Sequence, residues 1–119
     1  MKQLTVTIPQ KSVTVGSHIG LADTSFTRFL GLMGRKSLSP GSGILIRPSS
    51  GVHTMFMRIA IDVVGLDRQL RVVRLWPRMR PWRITSVSLK VQNVLELASG
   101  QIEQCGIEPG DQLAVLDNA

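Results

Sequence analysis

The amino-acid sequence predicts a mainly β protein, formed as a single domain with one or two short helices. Three observations support this fold class. The length of 119 residues suits one domain and leaves no room for two independent cores. Hydrophobic residues make up 43% of the chain and aromatic residues only 4%, so the core must be built from Val, Ile, Leu and Met. Short segments of alternating or apolar residues are separated by turns rich in Gly and Pro, a pattern typical of sheet proteins.

The N-terminal segment predicts two strands. Residues 1–9 alternate apolar and polar side chains, which is the period of a strand with one buried face. A second alternating piece contains Val13 and Val15, and we expect Gly16 and Gly20 to interrupt it.

A short helix is predicted after Asp23 or Thr24, either of which is a good N-cap. Gly34 stands where a left-handed C-terminal residue belongs, and basic residues follow it. We expect the apolar stripe of this helix to pack on the sheet, as we do for the pair Met55 and Met57. The stripe consists of Phe26, Phe29, Leu30 and Met33.

The middle of the chain predicts a hairpin at the centre of the sheet. A turn at residues 39–43 leads into a brief buried strand at residues 43–48. A longer strand is expected over residues 53–66, and Asp67 begins the reversal into a partner strand at residues 70–75.

The remaining segments contain several chain breakers. Pro77 and Pro81 predict that residues 76–83 form a loop or an edge strand, because proline cannot donate to a sheet ladder. Strand character returns at residues 84–97, with an interruption near Gln92 and Asn93.

The C-terminal part predicts a one-turn helix capped by Ser99 and ended by Gly106. Glu108-Pro109-Gly110-Asp111 has the residues of a type II turn, with Pro second and Gly third, and a last strand is expected to run to Leu116.

The composition predicts a soluble, cytoplasmic protein. Cys105 is the only cysteine, so an intrachain disulfide is excluded. The N-terminal segment lacks the continuous apolar stretch of a signal peptide, and no run of about 18 apolar residues is present to span a membrane. We therefore expect no membrane contact.

Polar residues interrupt the apolar strand predicted over residues 53–66. If that strand is straight, Thr54, Arg58 and Asp62 share one face. An ionised Asp62 among aliphatic neighbours needs a partner, and Arg58 or an arginine of a neighbouring segment would supply it. A structural salt bridge is favoured over a catalytic aspartate.

No motif predicts an enzyme, a metal or a cofactor. His53 follows a glycine turn, where a histidine bonded to backbone carbonyls is the more common arrangement than a general base. His18, His53 and Cys105 lack the close spacing of zinc ligands. Neither a nucleophile elbow nor a phosphate-binding glycine loop is present. We assign no catalytic residue and expect no bound metal or cofactor.

The basic charge is the clearest compositional signal. The net charge is +6, and arginines crowd one stretch that also contains both tryptophans. Such a stretch could bind phosphates and stack on bases, although solvated arginines with tryptophans that fill the end of a barrel are the favoured explanation. The candidates for contact with an anion or nucleic acid are Arg71, Arg74, Trp76, Arg78, Arg80 and Trp82; Arg68 and Arg83 flank them.

Several motifs together resemble domain-of-unknown-function family 192. They are RFLGLMGRKSL, GILIRP, HTMFMRIAIDVVGLD, PWR, VLEL and GIEPGD, in the family's order over about residues 28–113. The resemblance implies a jelly-roll-like sandwich or barrel, and it implies no particular activity. Ala60, Gly65 and Val91 depart from the family pattern, and Gly65 is expected to weaken or bulge its strand.

The leading functional hypothesis is a non-enzymatic binding or interaction module. Its polar patch would accept a small anion or an acidic partner, since the patch residues recur at the family's motif positions and arginine is in surplus. The first alternative is nucleic-acid contact through residues 68–83, and the second is a hydrolase or lyase that uses His53 with Asp62. The predicted patch consists of His53, Thr54, Arg58, Asp62 and Arg83.

Overall fold

The computed structural model describes residues 1–54, 57–85 and 89–119 and confirms the mainly β fold class. Within these residues the chain forms seven strands and two short α-helices. They are β1 (Gln3–Ile8), β2 (Val13–Ala22), α1 (Ser25–Leu30), β3 (Ser42–Ile46), β4 (Ile61–Leu66), β5 (Val72–Met79), β6 (Asn93–Ala98), α2 (Gln101–Cys105) and β7 (Ala114–Asp117).

All seven strands belong to one sheet with the order β5-β4-β6-β3-β2-β1-β7. Neighbours are antiparallel except β2 and β3, which are parallel. The start of β5 also meets the segment that precedes β7: Arg71 bridges Gln112, and the N–H of Val72, the first residue of β5, donates to the carbonyl of Asp111 at 2.8 Å. The sheet therefore closes on itself in a barrel-like arrangement.

The central strands bury both of their faces. In β3, Leu45 belongs to one apolar cluster, whereas Ile44 and Ile46 belong to another. In β6, Leu95 and Val94 divide in the same way. We call the cluster with Leu45 and Leu95 the first core and the cluster with Ile44 and Val94 the second core. Strands buried on both faces read as continuous apolar runs, and every residue of β4 and β6 is buried.

The expected interruption of the second strand at its glycines is wrong. Strand β2 continues through Gly16 and Gly20 for 10 residues. A Cβ atom at Gly16 would lie 2.5 Å from the carbonyl oxygen of Gly41, so this glycine allows another segment to approach closely. A close backbone approach is the second common reason for glycine inside a strand.

Helix α1 begins as predicted but ends early. Thr24 is the N-cap, and it exchanges hydrogen bonds with Thr27 in a capping box. The helix stops at Gly31, whose φ of 49° and ψ of −126° turn the chain. The buried side chain after this turn is Leu32.

The expectation that the whole helical stripe packs on the sheet is consequently wrong. Phe26 and Phe29 are 70% and 63% exposed, and Leu30 is also exposed, while Met33 contacts the second core. Met57 is buried in the second core, and Met55 lies outside the described residues.

The straight strand expected over residues 53–66 is also wrong. Strand β4 begins only at Ile61, whereas His53 forms an isolated bridge with Ile84. Arg58 and Ile59 lie in a bend between them. The shared face of Thr54, Arg58 and Asp62, which depended on a straight strand, is therefore not formed.

The predicted hairpin is present, but it lies at one end of the sheet order rather than at the centre. Strand β5 follows β4 and pairs along its length with β4 alone. This position tolerates Pro77, in agreement with the predicted edge. The pairing of β4 with β5 is irregular between Ile61↔Met79 and Val63↔Trp76. The strand predicted at residues 84–97 is shorter, beginning at Asn93, and residues 86–88 lie outside the described ranges.

The C-terminal elements largely agree with prediction. Helix α2 ends at Gly106, but its N-cap is Gly100 rather than Ser99. Gly110 has a φ of 95°, as the third residue of a type II turn requires. No helix within the described ranges is long and apolar enough to cross a membrane.

Candidate functional site

Asp62 is fully buried and is held by backbone groups rather than by an arginine. Its Oδ1 accepts a hydrogen bond of 2.8 Å from the N–H of Arg78, at the irregularity in β5, and its Oδ2 accepts one of 2.7 Å from the N–H of Ile102. Ile102 lies in the first turn of α2, which lacks a side-chain cap of its own. Asp62 therefore joins β5 to α2.

The salt bridge expected at Asp62 is not observed. Among the described residues, no ion pair of Asp62 is found, and Arg58 is exposed without one. The expectation that a buried Asp62 needs hydrogen-bond partners was correct, but backbone N–H groups supply these bonds instead of an arginine.

Thr54 has a similar structural role. Its hydroxyl donates to the carbonyl of Arg80 at 2.6 Å and accepts from the N–H of Arg83 at 2.8 Å. The carbonyl of Thr54 accepts from the N–H of Trp82 at 2.9 Å. Thr54 thus holds the loop that carries the PWR motif.

A cavity of about 400 Å³ lies between α1 and the segment that follows β3. Residues 28–33 form one wall and residues 48–53 the other, with Ile46, Met57 and Glu96 also lining it. We call this cavity the α1 pocket. Its apolar surface comes from Phe29, Leu30, Leu32, Met33, Ile46, Val52 and Met57.

Glu96 is a buried acidic residue of the α1 pocket whose hydrogen bonding is incomplete. It lies in β6 between Ile44 of β3 and Val63 of β4, on the strand face of the second core. The residue is 3% exposed, and its Oε1 has no hydrogen-bond partner among the described residues. Burial raises the pKa of Glu96 from 4.5 to about 7, and the backbone amide of Leu32 partly opposes the rise. Both protonation states are therefore populated near neutral pH.

Gly31 fits against this carboxyl group. A Cβ atom at Gly31 would lie 3.2 Å from Oε1 of Glu96, and the positive φ of Gly31 disfavours any side chain. The turn that ends α1 and the buried glutamate thus come together in the pocket, joining the RFLGLMGRKSL motif to the VLEL motif.

His53 lines the same pocket. Its ring centroid is 6.2 Å from that of Phe29, with the rings tilted by 56°. The Nδ1 atom of His53 is buried, and the described part of the chain offers it no hydrogen-bond partner. Arg28 joins the two walls, because its guanidinium donates to the carbonyls of Pro48 and Thr24, each at 3.3 Å.

The structure therefore separates the predicted patch residues. His53 lines the α1 pocket, whereas Thr54 and Asp62 bond to backbone groups elsewhere. Arg58 is exposed, and the guanidinium of Arg83 donates to the carbonyls of Pro81 and Trp82 at 3.5 and 3.4 Å. An anion-binding role for these five residues remains a prediction.

The arginine-rich stretch is partly engaged with the protein itself. The guanidinium of Arg74 lies 5.0 Å from the ring centroid of Trp76, a cation–π contact. Arg78 pairs with Glu103 at 3.1 Å. Arg71, Arg80 and Trp82 are exposed.

Sequence reasoning missed Glu96, although the signal was available. A carboxylate inside the apolar run Val94-Leu95-Glu96-Leu97 carries the same burial cost that drew attention to Asp62. Clusters of three or more His, Cys, Asp or Glu suited to a metal ion are absent from the described ranges.

The fold and the pocket define a small closed-sheet protein in which a cavity beside the second core contains a buried acid. The chain belongs to domain-of-unknown-function family 192, described as Uncharacterized ACR, whose model matches residues 5–115. This confirms the resemblance seen in the motifs.

Individual relatives support the same membership. A UPF0127 protein of Pyrococcus furiosus is 37% identical over 109 residues, which cover 86% of this chain and 93% of that protein. A UPF0127 protein of Thermococcus sibiricus is 35% identical over 81% of this chain, which spans 64% of that protein. A crystal structure of a protein of unknown function from Novosphingobium aromaticivorans superposes with a TM-score of 0.80 at 24% identity. The superposition covers 94% of this chain and 83% of the Novosphingobium chain, which shows a common fold.

Proposed function

We propose that this protein is a non-enzymatic binding module whose α1 pocket holds a small, mainly apolar ligand. The observation that carries the proposal is the buried Oε1 of Glu96, which has no partner among the described residues and belongs to a residue that lines the cavity. A ligand with a polar head group would supply the missing hydrogen bond.

Energetics favour this assignment over a purely structural glutamate. A buried polar atom without a partner costs about 1–3 kcal/mol, and such atoms are rare in folded proteins. Asp62 meets the same cost by bonding both oxygens to backbone N–H groups. The pocket volume of about 400 Å³ is of the size that encloses small ligands, and its mixture of apolar walls with few polar groups is typical of them.

The geometry narrows the earlier hypothesis of a five-residue patch for an anion or acidic peptide. Thr54 and Asp62 have their side-chain oxygens committed to backbone partners, so His53 is the patch residue best placed to meet a ligand. Nucleic-acid contact is less well supported, because Arg74 and Arg78 already contact Trp76 and Glu103. We retain a single domain and a cytoplasmic location as proposals, the second supported by the lone cysteine.

The test is a screen of small compounds by protein-observed NMR. Binders should shift the backbone amide signals of Gly31, Leu32 and His53. Ser50→Trp, at an exposed position on the pocket wall, should abolish those shifts by obstruction. Ser37→Trp is the matched control, at an exposed position that does not line the pocket. A broad screen without shifts at these amides, or shifts that survive Ser50→Trp, would contradict the proposal.

A further inference from the structure

We infer that the α1 pocket recognises a protonated amine, an ammonium or amidinium group attached to an apolar body. The inference rests on the proposed binding function and names the chemical class of the ligand. Its basis is that two side-chain atoms without partners, Oε1 of Glu96 and Nδ1 of His53, belong to residues that line one cavity.

Both atoms are suited to accept hydrogen bonds. An ionised carboxylate is an acceptor alone, and the Nδ1 of a neutral histidine accepts when the proton is on Nε2. A head group bonded to both atoms would have to carry at least two hydrogen-bond donors. An ammonium has three and an amidinium four, whereas a hydroxyl has one.

The ionised carboxylate of Glu96 favours a cation over an anion beside it. Strands β3 and β4, which flank β6, place Ile44 and Val63 opposite Glu96. Among the described residues, the other titratable or charged side chains that line the pocket are those of Arg28 and His53. The guanidinium of Arg28 is bonded to the carbonyls of Thr24 and Pro48. An ammonium would neutralise the ionised carboxylate, whereas an anion would need Glu96 to stay protonated.

The rest of the pocket suits an apolar body. Phe29, Leu30, Met33, Val52 and Met57 line it, and Phe29 is largely exposed. In such a ligand the apolar body would lie against these side chains while the amine contacts Glu96.

Three probes of nearly equal shape separate the ligand classes: 2-phenylethylamine, 2-phenylethanol and 3-phenylpropionate. Their affinities are measured by NMR titration at pH 6 and pH 8. Because the carboxyl of Glu96 titrates at about 7, about ten times more of it is ionised at pH 8. The amine should therefore bind about tenfold more tightly at pH 8 and more tightly than the alcohol.

Variants assign the effect to the pocket. Amine binding by His53→Ala should still depend on pH, and adding Glu96→Gln to that variant should remove the dependence. Glu96→Gln alone should weaken amine binding at pH 8 by about tenfold or more. His53→Ala should weaken binding at both pH values while leaving the Glu96 dependence in place. Glu103→Gln, an exposed carboxylate outside the pocket, should change neither.

Tighter binding of 3-phenylpropionate than of 2-phenylethylamine at pH 8, or amine binding unaffected by Glu96→Gln, would overturn the amine inference and leave the pocket function standing. The same conclusion follows if other compounds shift the pocket amides and the amine does not. Failure of every compound to shift those amides would remove the pocket function itself.

Discussion

Replacing Glu96 by Gln should make the protein more stable above pH 7 and less dependent on pH. The native state raises the pKa of this carboxyl from 4.5 to about 7 by burial. Between those values the native protein binds more protons than the unfolded chain, so stability falls as pH rises through the window. The loss is complete above pH 7 and absent below 4.5. A shift of this size corresponds to about 3 kcal/mol, at about 1.4 kcal/mol for each pKa unit.

The assay is urea unfolding of the wild type and Glu96→Gln, followed by far-ultraviolet circular dichroism, at pH 5 and pH 8. The variant should gain stability relative to the wild type by about 2–3 kcal/mol on going from pH 5 to pH 8. A constant offset between the proteins reports packing and hydrogen bonding, and only its change with pH reports ionisation.

Glu103→Gln is the matched control, because Glu103 is a glutamate of an exposed ion pair with a side chain 76% accessible. Its effect should stay within about 1 kcal/mol at both pH values. If the difference between the wild type and Glu96→Gln is the same at pH 5 and pH 8 within about 0.5 kcal/mol, the argument from burial is wrong.

Three further predictions use the same urea assay. Asp62→Asn should destabilise the protein by about 2–4 kcal/mol, because the NH₂ group of the amide cannot accept the backbone N–H bond that the second carboxylate oxygen accepts. A loss under about 0.5 kcal/mol would contradict the role of Asp62 in joining β5 to α2. Gly31→Ala should cost about 1–3 kcal/mol and more than Gly34→Ala, which also has positive φ but open space; equal costs would show that Glu96 does not crowd this position. Phe26→Ala should change stability by less than about 0.5 kcal/mol, and Leu32→Ala should cost about 2–5 kcal/mol. A larger loss in Phe26→Ala than in Leu32→Ala would show that the helical stripe packs in the core after all.

The sequence predicted the features that local chemistry determines. The strand at residues 1–9 follows from alternation, the cap at Thr24 from its hydroxyl, and the turn at Gly110 from a positive φ. The hairpin after β4 follows from the polar reversal that begins at Asp67, where Leu70 N–H donates to the Asp67 carbonyl at 3.1 Å. In each case the residues that decide the structure are close in sequence.

The features that were predicted wrongly depend on distant partners. Local rules predict a strand break at Gly16, and they do not include the backbone of Gly41, which approaches this glycine closely. Phe29 fits a buried helical stripe until Gly31 ends the helix and turns Leu32 inward. Local periodicity cannot report either event, because both are set by tertiary packing.

The candidate site shows the same boundary between local and distant information. Asp62 and Glu96 present one signal in the sequence, a carboxylate inside an apolar strand, and burial cost predicts that each needs a partner. The fold gives Asp62 two backbone N–H groups, so its cost is offset within the protein. Beside Oε1 of Glu96 the fold instead places Gly31, which leaves room for the carboxyl group but donates no hydrogen bond to Oε1. The Oε1 of Glu96, which has no partner among the described residues and belongs to a residue of the cavity wall, is therefore the basis of the proposed ligand site.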